Sequence, residues 1–211
     1  MDNVTISSGF PEANRAKAAT LFLEAFGPKL RAILGQDHRI HAFISDVMDP
    51  NQAICATAPD GTLLGIAGFK TKSGGFVGGE LKDVARHCGW VTAIPRGRIL
   101  SLLERQTTPN SLLMDGICVD ATARGTGIGS RLLDTIIDRA RHLGAASVRL
   151  DDIDENPRAK ALYLRKGFQE AGKNTLGPLR HVFSFSAATT MRLALTQAGG
   201  IDATVFNTNG K

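Results

Sequence analysis

Residues 111–168 contain the pattern that decides the fold, and they read SLLMDGICVDATARGTGIGSRLLDTIIDRARHLGAASVRLDDIDENPRAKALYLRKGF. An apolar strand is expected at 111–119, followed by a glycine-rich turn and an amphipathic helix at 129–143, whose apolar residues recur every three or four positions. A second strand is expected at 147–153 and a short helix at 157–166. Strands that alternate with helices indicate a mixed α/β sheet.

The residues before this stretch predict a compatible order of elements. We expect a short strand at 3–7 and a helix at 12–26 ended by Gly27-Pro28. A second helical stretch is expected through Leu30, Leu34 and the segment from Ile40 to Val47. Two further strands, at 53–58 and 62–70, flank the turn Pro59-Asp60-Gly61, which is typical of a hairpin.

The remaining segments are less regular. Residues 71–110 read as an insertion that opens with the glycine-rich KSGGFVGG at 72–79, expected to be flexible, and continues with helices near 80–88 and 97–105. Strand-like stretches follow near 168–176, 181–186 and 189–195. We therefore expect one α/β domain over residues 1–195, with the insertion inside it and a tail at 196–211.

Composition limits the class of protein. The chain has 211 residues, of which 43% are hydrophobic and 21% charged, so extensive disorder is not expected. No apolar run approaches the ~18 residues that cross a bilayer, and the N-terminus lacks a secretory pattern. Cys55, Cys88 and Cys118 form no CxxC pair, which predicts neither a disulfide framework nor a zinc cluster. A cytoplasmic location is the expectation.

The charge favours an anionic partner. The formal net charge is +5, from 25 Lys and Arg against 20 Asp and Glu. The basic residues are scattered, and the single Trp and single Tyr provide no series of stacking aromatics. The anionic partner could be a phosphorylated cofactor, a membrane surface or nucleic acid, and nucleic acid is the minority interpretation.

The turn Arg124-Gly125-Thr126-Gly127-Ile128-Gly129 predicts where that anion binds. Glycines allow backbone N–H groups to approach a ligand, and the following helix adds unpaired N–H groups and a positive dipole end. Together these suit a phosphate or pyrophosphate, and Arg124 adds a positive charge. The turn is alternatively only the start of a helix.

A dinucleotide-binding fold is a rival interpretation of the same turn, because Asp151 ends the next strand. Two details count against it. Residues 120–123 separate the strand from the turn, and the third glycine of the dinucleotide pattern would fall at Ser130.

The run ICVDATARGTGIGSRLL resembles motif A of the GNAT superfamily of acyl-CoA-dependent N-acyltransferases, whose pattern is Arg/Gln-x-x-Gly-x-Gly/Ala. Arg124, Gly127 and Gly129 fill its three defined positions. Asn156, Ala161-Leu162-Tyr163 and Gly167-Phe168 resemble a second signature of the family, in the expected order.

The resemblance implies a mixed, largely antiparallel sheet flanked by helices and splayed between the strands at 111–119 and 147–153. Acetyl-CoA would lie in that wedge, with Asn156 facing it; Asn156-Pro157 also reads as a helix cap. The pantetheine would pair with the backbone of Ile117, Cys118 and Val119. The pyrophosphate would rest on the amides of the turn, contributed by Arg124, Gly125, Thr126, Gly127, Ile128, Gly129 and Ser130.

The resemblance also implies catalytic residues. Tyr163 would protonate the leaving thiolate, although it also reads as a core aromatic. Asp115 is the candidate for the general base or the amine anchor, because it shares alternation parity with Ile117 and Val119 and precedes Gly116, where a bulge fits. Glu24 and Glu80 are weaker candidates. Cys118 is expected to be an apolar filler.

The resulting hypothesis is an enzyme that transfers an acetyl group from acetyl-CoA to an amine by direct attack in a ternary complex. A dinucleotide-dependent oxidoreductase and a non-catalytic acyl-CoA-binding module are the alternatives. His38 and His41 have no further ligands near them in sequence, so no metal is expected. The expected partners are acetyl-CoA and the acceptor, without nucleic acid or a membrane, and a homodimer is an option.

Overall fold

The computed structural model describes residues 3–34, 37–78, 83, 86–87, 108, 110–153, 156–175 and 187–195. Its helices are α1 (Arg15–Leu34), α2 (Asp37–Val47), α3 (Ile128–His142) and α4 (Pro157–Arg165). Its strands are β1 (Thr5–Ser8), β2 (Ala53–Thr57), β3 (Leu63–Thr71), β4 (Gly74–Gly75), β5 (Ser111–Val119), β6 (Ser147–Ile153), β7 (Gln169–Thr175) and β8 (Ala187–Ala194).

These strands form one sheet in the order β1-β2-β3-β5-β6-β8-β7, and β4 pairs with β3 beside this path. Among the described strands, β5 and β6 are the only parallel pair. The expectation of a mixed, largely antiparallel sheet flanked by helices is confirmed. A dinucleotide-binding fold would instead place its strands in a parallel sheet.

Two hydrophobic clusters pack on opposite faces of the sheet. The α1-side core joins α1 and α2 to the sheet and includes Leu21, Ile44, Ile66 and Cys118. The α3-side core joins α3 and α4 to the other face. The apolar stripe of α3 enters this second core through Leu132, Leu133, Ile136, Ile137 and Ala140. Burial of both faces positions β5 between two packed layers.

The parallel pair separates soon after it begins. Three residue pairs join the strands: Ser111 with Ser147, Leu112 with Val148, and Leu113 with Arg149. Beyond them, β5 continues to Val119 against β3, and β6 continues to Ile153 against β8. The sheet is therefore splayed between these strands, as the family resemblance implied.

Helix α1 corrects one expectation. It continues through Gly27-Pro28 to Leu34, although a proline removes one helical hydrogen bond and usually ends or bends a helix. Phe26 and Leu30, on either side of the proline, both pack against the α1-side core. The packing of these two side chains outweighs the cost of the helical hydrogen bond that Pro28 removes.

The expectation of flexibility at 72–79 was also wrong for its described part. Phe76 is among the most completely buried side chains of the described residues, and its amide donates to the carbonyl of Phe69 at 3.0 Å. A Cβ atom on Gly68 would lie 2.2 Å from the Phe76 ring, so the ring packs against the backbone of β3 at this glycine. Most of the helix expected near 80–88, and the elements expected at 97–105 and 181–186, lie outside the described residues, as does the tail at 196–211.

Candidate active site

The glycine-rich turn opens directly into α3. Gly125 and Gly127 have φ values of +80° and +86°, a conformation that side chains other than glycine rarely adopt. Gly127 is the N-cap of α3, and its carbonyl accepts the first helical bond, from Arg131 N at 3.1 Å. The amides of residues 128–130 therefore have no acceptor within the helix, and these N–H groups form the positive end of its dipole. We call residues 124–130 the cradle.

The cradle has open space at two of its glycines. A Cβ atom on Gly125 or Gly127 would meet no atom within 4 Å. On Gly129 it would lie 3.8 Å from both Val119 Cγ2 and Leu162 Cδ2. The absence of a side chain at Gly129 thus leaves a gap between the end of β5 and α4, where the two sequence signatures meet.

Asp120 organises the chain that leads into the cradle. Its Oδ1 accepts hydrogen bonds from Thr122 N at 3.0 Å and Thr122 Oγ1 at 2.7 Å, and its Oδ2 lies 2.5 Å from Lys17 Nζ on α1. These bonds, the one from Lys17 foremost, hold the pKa of the Asp120 carboxyl well below its usual value. The carboxylate therefore remains ionised at neutral pH.

Arg124 makes a second connection between the cradle and α1. Its Nε donates to the carbonyl of Val119 at 3.0 Å, and its Nη2 lies 3.9 Å from Glu24 Oε2. More than half of the Arg124 side chain is exposed. The guanidinium is thus anchored at the end of β5 while it remains accessible to an anion.

The strand edge next to the cradle faces the splay, and the Val119 carbonyl on this strand accepts the bond from Arg124 Nε. Ile117, Cys118 and Val119 pair with Ala67, Ile66 and Gly65 of β3 along one edge. Their other edge faces the splay, because the pairing with β6 ends at Leu113. An extended ligand fits such an edge as an added strand would.

Asp115 is the extra residue of a bulge in β5. Gly68 pairs with Gly116 and Phe69 pairs with Met114, so Asp115 has no counterpart in the register of β3. Met114, Ile117 and Val119 all pack against the α3-side core. Strict alternation is therefore interrupted at the bulge, and the parity argument for Asp115 does not hold, although the bulge itself lies where it was expected.

Cys118 faces the opposite side of β5 and is buried in the α1-side core. Burial, with the negative charge of Glu24 acting in the same direction, raises the pKa of its thiol to about 12. The thiol is therefore protonated at neutral pH and is a poor nucleophile.

Helix α4 carries the second signature. Asn156 caps it, because its Oδ1 accepts a hydrogen bond from Ala159 N at 3.2 Å, and Pro157 follows in the first turn. Tyr163 is buried in the α3-side core, with its ring centre 5.9 Å from that of Phe168. Neighbouring Leu162 lies next to Gly129, so Tyr163 lies on the helix that borders the cradle.

Sequence reasoning missed the contribution of α1 to this site. Lys17 and Glu24 approach the cradle, and Phe26 covers the backbone of Gly116, where a Cβ atom would lie 2.3 Å from Phe26 Cζ. Only Glu24 drew attention in the sequence, as a weak base candidate. No local pattern indicates these contacts, because they join residues about a hundred positions apart.

A sequence model described as the Acetyltransferase (GNAT) family matches residues 19–168, more than half of the chain. The chain belongs to the GNAT acetyltransferase family. Members of this family are acyltransferases, and acetyl-CoA-dependent acetyl transfer is general among them. The matched residues include the cradle, the splayed strands and most of α1.

Solved structures with a GNAT fold resemble the chain along nearly all of its length. An N-acetyltransferase from Staphylococcus aureus Mu50 has a TM-score of 0.61 at 17% identity and covers 92% of this chain and 100% of its own. A GCN5-related N-acetyltransferase from Kribbella flavida has a TM-score of 0.59 at 16% identity, and the match covers 92% of this chain and 99% of the other. The protein yncA from Salmonella typhimurium, solved with its cofactor acetyl-CoA, has a TM-score of 0.57 at 16% identity. The match covers 96% of this chain and 99% of yncA.

A search of curated proteins gave no match. Within the described ranges, no group of three or more His, Cys, Asp or Glu side chains is arranged to hold a metal ion. None of the described helices is both long enough and apolar enough to span a bilayer.

Proposed function

We propose that this GNAT enzyme transfers an acetyl group from acetyl-CoA to an amine by direct attack in a ternary complex. One observation carries the proposal: the edge of β5 that no longer pairs with β6 beyond Leu113 leads directly to the helix N-terminus at the cradle. A strand edge recognises an extended amide-containing arm, whereas a helix N-terminus recognises a phosphate. Acetyl-CoA carries both groups in this order.

The residues present fit acetyl-CoA. The gap that a Cβ atom on Gly129 would fill leaves room next to the cradle, and the amides of 128–130 have no acceptor in the helix. We propose that the cradle, including Arg124, holds the pyrophosphate and that Ile117, Cys118 and Val119 pair with the pantetheine. Asn156 is proposed to face the same ligand in addition to capping α4. When bound, acetyl-CoA supplies the activated acetyl group as a thioester.

We propose that Tyr163 donates its hydroxyl proton to the departing sulfur. Its buried ring packs near Phe168 at one end of α4, which fixes the position of the hydroxyl. A positioned acid of this kind typically contributes about 10²–10⁴-fold to the rate. Asp115, at the bulge of the open strand, is proposed to contact the acceptor amine, as its base or as its anchor.

Direct transfer, without an acetylated enzyme, is supported by the state of Cys118. Its thiol is buried, and its raised pKa, about 12, leaves almost no thiolate at neutral pH. A neutral amine held beside the thioester is then the nucleophile.

Two measurements on the intact protein test this proposal. Isothermal titration calorimetry with CoA, acetyl-CoA and NAD is expected to show binding of the first two only. Release of free thiol from acetyl-CoA is then followed across a panel of amines: small alkylamines, amino acids, aminoglycosides and peptides with free N-termini. CoA binding without thiol release for any amine would favour the non-catalytic acyl-CoA-binding module, and binding of NAD alone would contradict the proposal.

A further inference from the structure

Four phenylalanine rings form a row on the α1 side of the sheet. Phe10 meets Phe76 edge-to-face, with ring centres 6.5 Å apart, and Phe76 meets Phe22 in the same way at 5.9 Å. Phe22 in turn packs on Phe26, with 4.7 Å between the ring centres. All three distances lie in the range of favourable aromatic pairs. We call these four residues the aromatic row.

Two glycines that face each other in the sheet fix the position of the aromatic row. Gly68 of β3 pairs with Gly116 of β5. A Cβ atom on Gly68 would lie 2.2 Å from the Phe76 ring, and one on Gly116 would lie 2.3 Å from Phe26 Cζ. Each of these rings therefore packs against backbone that carries no side chain, Phe76 on β3 and Phe26 on β5.

The aromatic row ends at the splay. From Phe76, on β3, it continues through Phe22 to Phe26, on β5. The next strand of the sheet is β6, whose pairing with β5 ends at Leu113, before the position that Phe26 covers. Phe26 is therefore the last ring of the row, and it lies beside the opening between β5 and β6.

The exposure of the rings increases toward the splay. Phe76 is 1% exposed, whereas Phe22 and Phe26 are only partly buried. Among the described residues, Phe22 is the only ring that packs on Phe26. Part of the Phe26 surface is thus accessible to a further ring, which would extend the row by one member. An aromatic ring suits this place better than an alkyl chain, because ring pairs gain affinity beyond that of the apolar area they bury.

The surroundings of Phe26 connect this surface with the acceptor. Gly116, which Phe26 covers, lies between the bulge residue Asp115 and Ile117. Asp115 is the residue proposed to contact the acceptor amine, and Ile117 is the first residue proposed to pair with the pantetheine. The substituent that the acceptor carries next to its nitrogen is therefore expected to lie against Phe26.

We infer that the acceptor is an arylalkylamine, a primary amine whose short carbon chain ends in an aromatic ring, and that Phe26 selects it by packing against that ring. The inference rests on the proposed function. The neutral amine nitrogen forms a bond to the acetyl carbonyl carbon, and the carbon–sulfur bond breaks with its electron pair leaving on sulfur. The nitrogen loses one proton and the sulfur gains one, so the products are an N-acetyl amide and free CoA.

The test compares two primary amines, 2-phenylethylamine and ethanolamine, by thiol release from acetyl-CoA with the intact protein. We expect wild-type kcat/KM to be about tenfold or more higher for 2-phenylethylamine. Phe26→Leu keeps an apolar side chain but removes the ring, and it should lower the ratio of the two kcat/KM values about fivefold or more. Phe10→Leu, which removes the ring at the other end of the aromatic row, is the matched control and should leave the ratio unchanged.

The ratio separates selection of the amine from general damage to the fold. A partly unfolded variant loses kcat/KM for both amines in the same proportion, so its ratio stays at the wild-type value. Phe26→Met, which is also apolar and unbranched, replaces Phe26→Leu should the latter not fold.

A wild-type ratio near or below one would overturn the inference, and that measurement depends on no variant. An unchanged ratio in the Phe26 variant would also overturn it, because another part of the protein would then select the amine. Failure of the wild type to bind CoA, or CoA binding without thiol release for any amine, would instead overturn the proposed function and the inference together.

Discussion

Lys17 and Asp120 join helix α1 to the chain segment that enters the cradle, with Nζ 2.5 Å from Oδ2. The same carboxylate fixes the backbone at Thr122 through its other oxygen. Since the turn Ala121–Ala123 leads directly to Arg124, the position of the cradle depends on a helix far away in sequence. The ion pair therefore links the fold of the N-terminal region to ligand binding.

Replacing Lys17 by Met should lower the free energy of unfolding by about 1 kcal/mol at neutral pH and weaken binding of CoA. The pKa of Asp120 is lowered in the folded chain, so its carboxylate stabilises the fold above the pKa of an unfolded aspartate, ~3.9. This stabilisation is lost as the pH falls below ~3.9 toward the lower pKa that Asp120 has in the folded protein. The stability difference between wild type and Lys17→Met should accordingly shrink between pH 7 and pH 3, as measured by urea unfolding.

Lys160→Met is the matched control, since Lys160 pairs with the exposed Glu170 at 2.6 Å, away from the cradle. It should leave CoA affinity unchanged. A difference for Lys17→Met that stays constant from pH 7 to pH 3 would show that lost packing, and not lost charge, accounts for the change.

Replacing Gly129 by Ala tests the cradle without backbone strain. The added methyl group would meet Val119 and Leu162 at the ordinary distance of 3.8 Å, and alanine favours a helix over glycine by about 1 kcal/mol. We therefore expect unchanged or slightly higher thermal stability, but CoA binding weakened at least tenfold, or about 1.4 kcal/mol, by calorimetry. Gly172→Ala, on β7 in open space, is the control. Equal CoA affinity in Gly129→Ala and wild type would exclude the gap as part of the ligand site.

The variant Tyr163→Phe keeps the aromatic ring near Phe168 but removes the hydroxyl proton. We expect CoA affinity close to wild type and kcat reduced about 10²-fold in steady-state kinetics with a productive amine. Leu164→Ala, half-exposed on the same helix, should have little effect. Normal kcat in Tyr163→Phe would mean that another group, such as water, protonates the sulfur.

The raised pKa of Cys118 predicts its reactivity. Below the folded pKa of about 12 the thiol is protonated, so iodoacetamide should modify Cys118 slowly at pH 8 in the native protein and rapidly after unfolding. Peptide mapping separates this residue from Cys55 and Cys88. Cys118→Ala should retain turnover, and intact-mass measurements should find no acetyl adduct. A kinetically competent acetyl-Cys118 would contradict direct transfer.

The central half of the fold could be predicted because its signals are local. The strands at 111–119 and 147–153 have the expected bounds, and α3 and α4 differ by one residue at their ends. Periodicity, glycine turns and a capping Asn-Pro pair specify each of these elements without reference to the rest of the chain. The cradle follows from the same residues, since it is the junction of a strand and a helix.

The contributions of distant residues could not be predicted. Pro28 is a local helix-breaking signal that packing of Phe26 and Leu30 overrides. Phe76 lies in a segment that reads as flexible, and its burial depends on the bare backbone of Gly68 across a hairpin. The packing around Pro28 and the burial of Phe76 depend on contacts that form only in the folded chain, so no local sequence pattern indicates them.

The early separation of β5 from β6 also bears on self-association. An unpaired strand edge at the border of a sheet can pair with another protein molecule, which is a common route to aggregation. Here the edge of β5 that stops pairing with β6 at Leu113 lies inside the sheet, with β6 and β8 beyond it. A second protein chain that approaches from the side meets β7 first. The splay thus places this edge of β5 at an opening within the sheet and not at its outer border, where a second copy of the protein would pair.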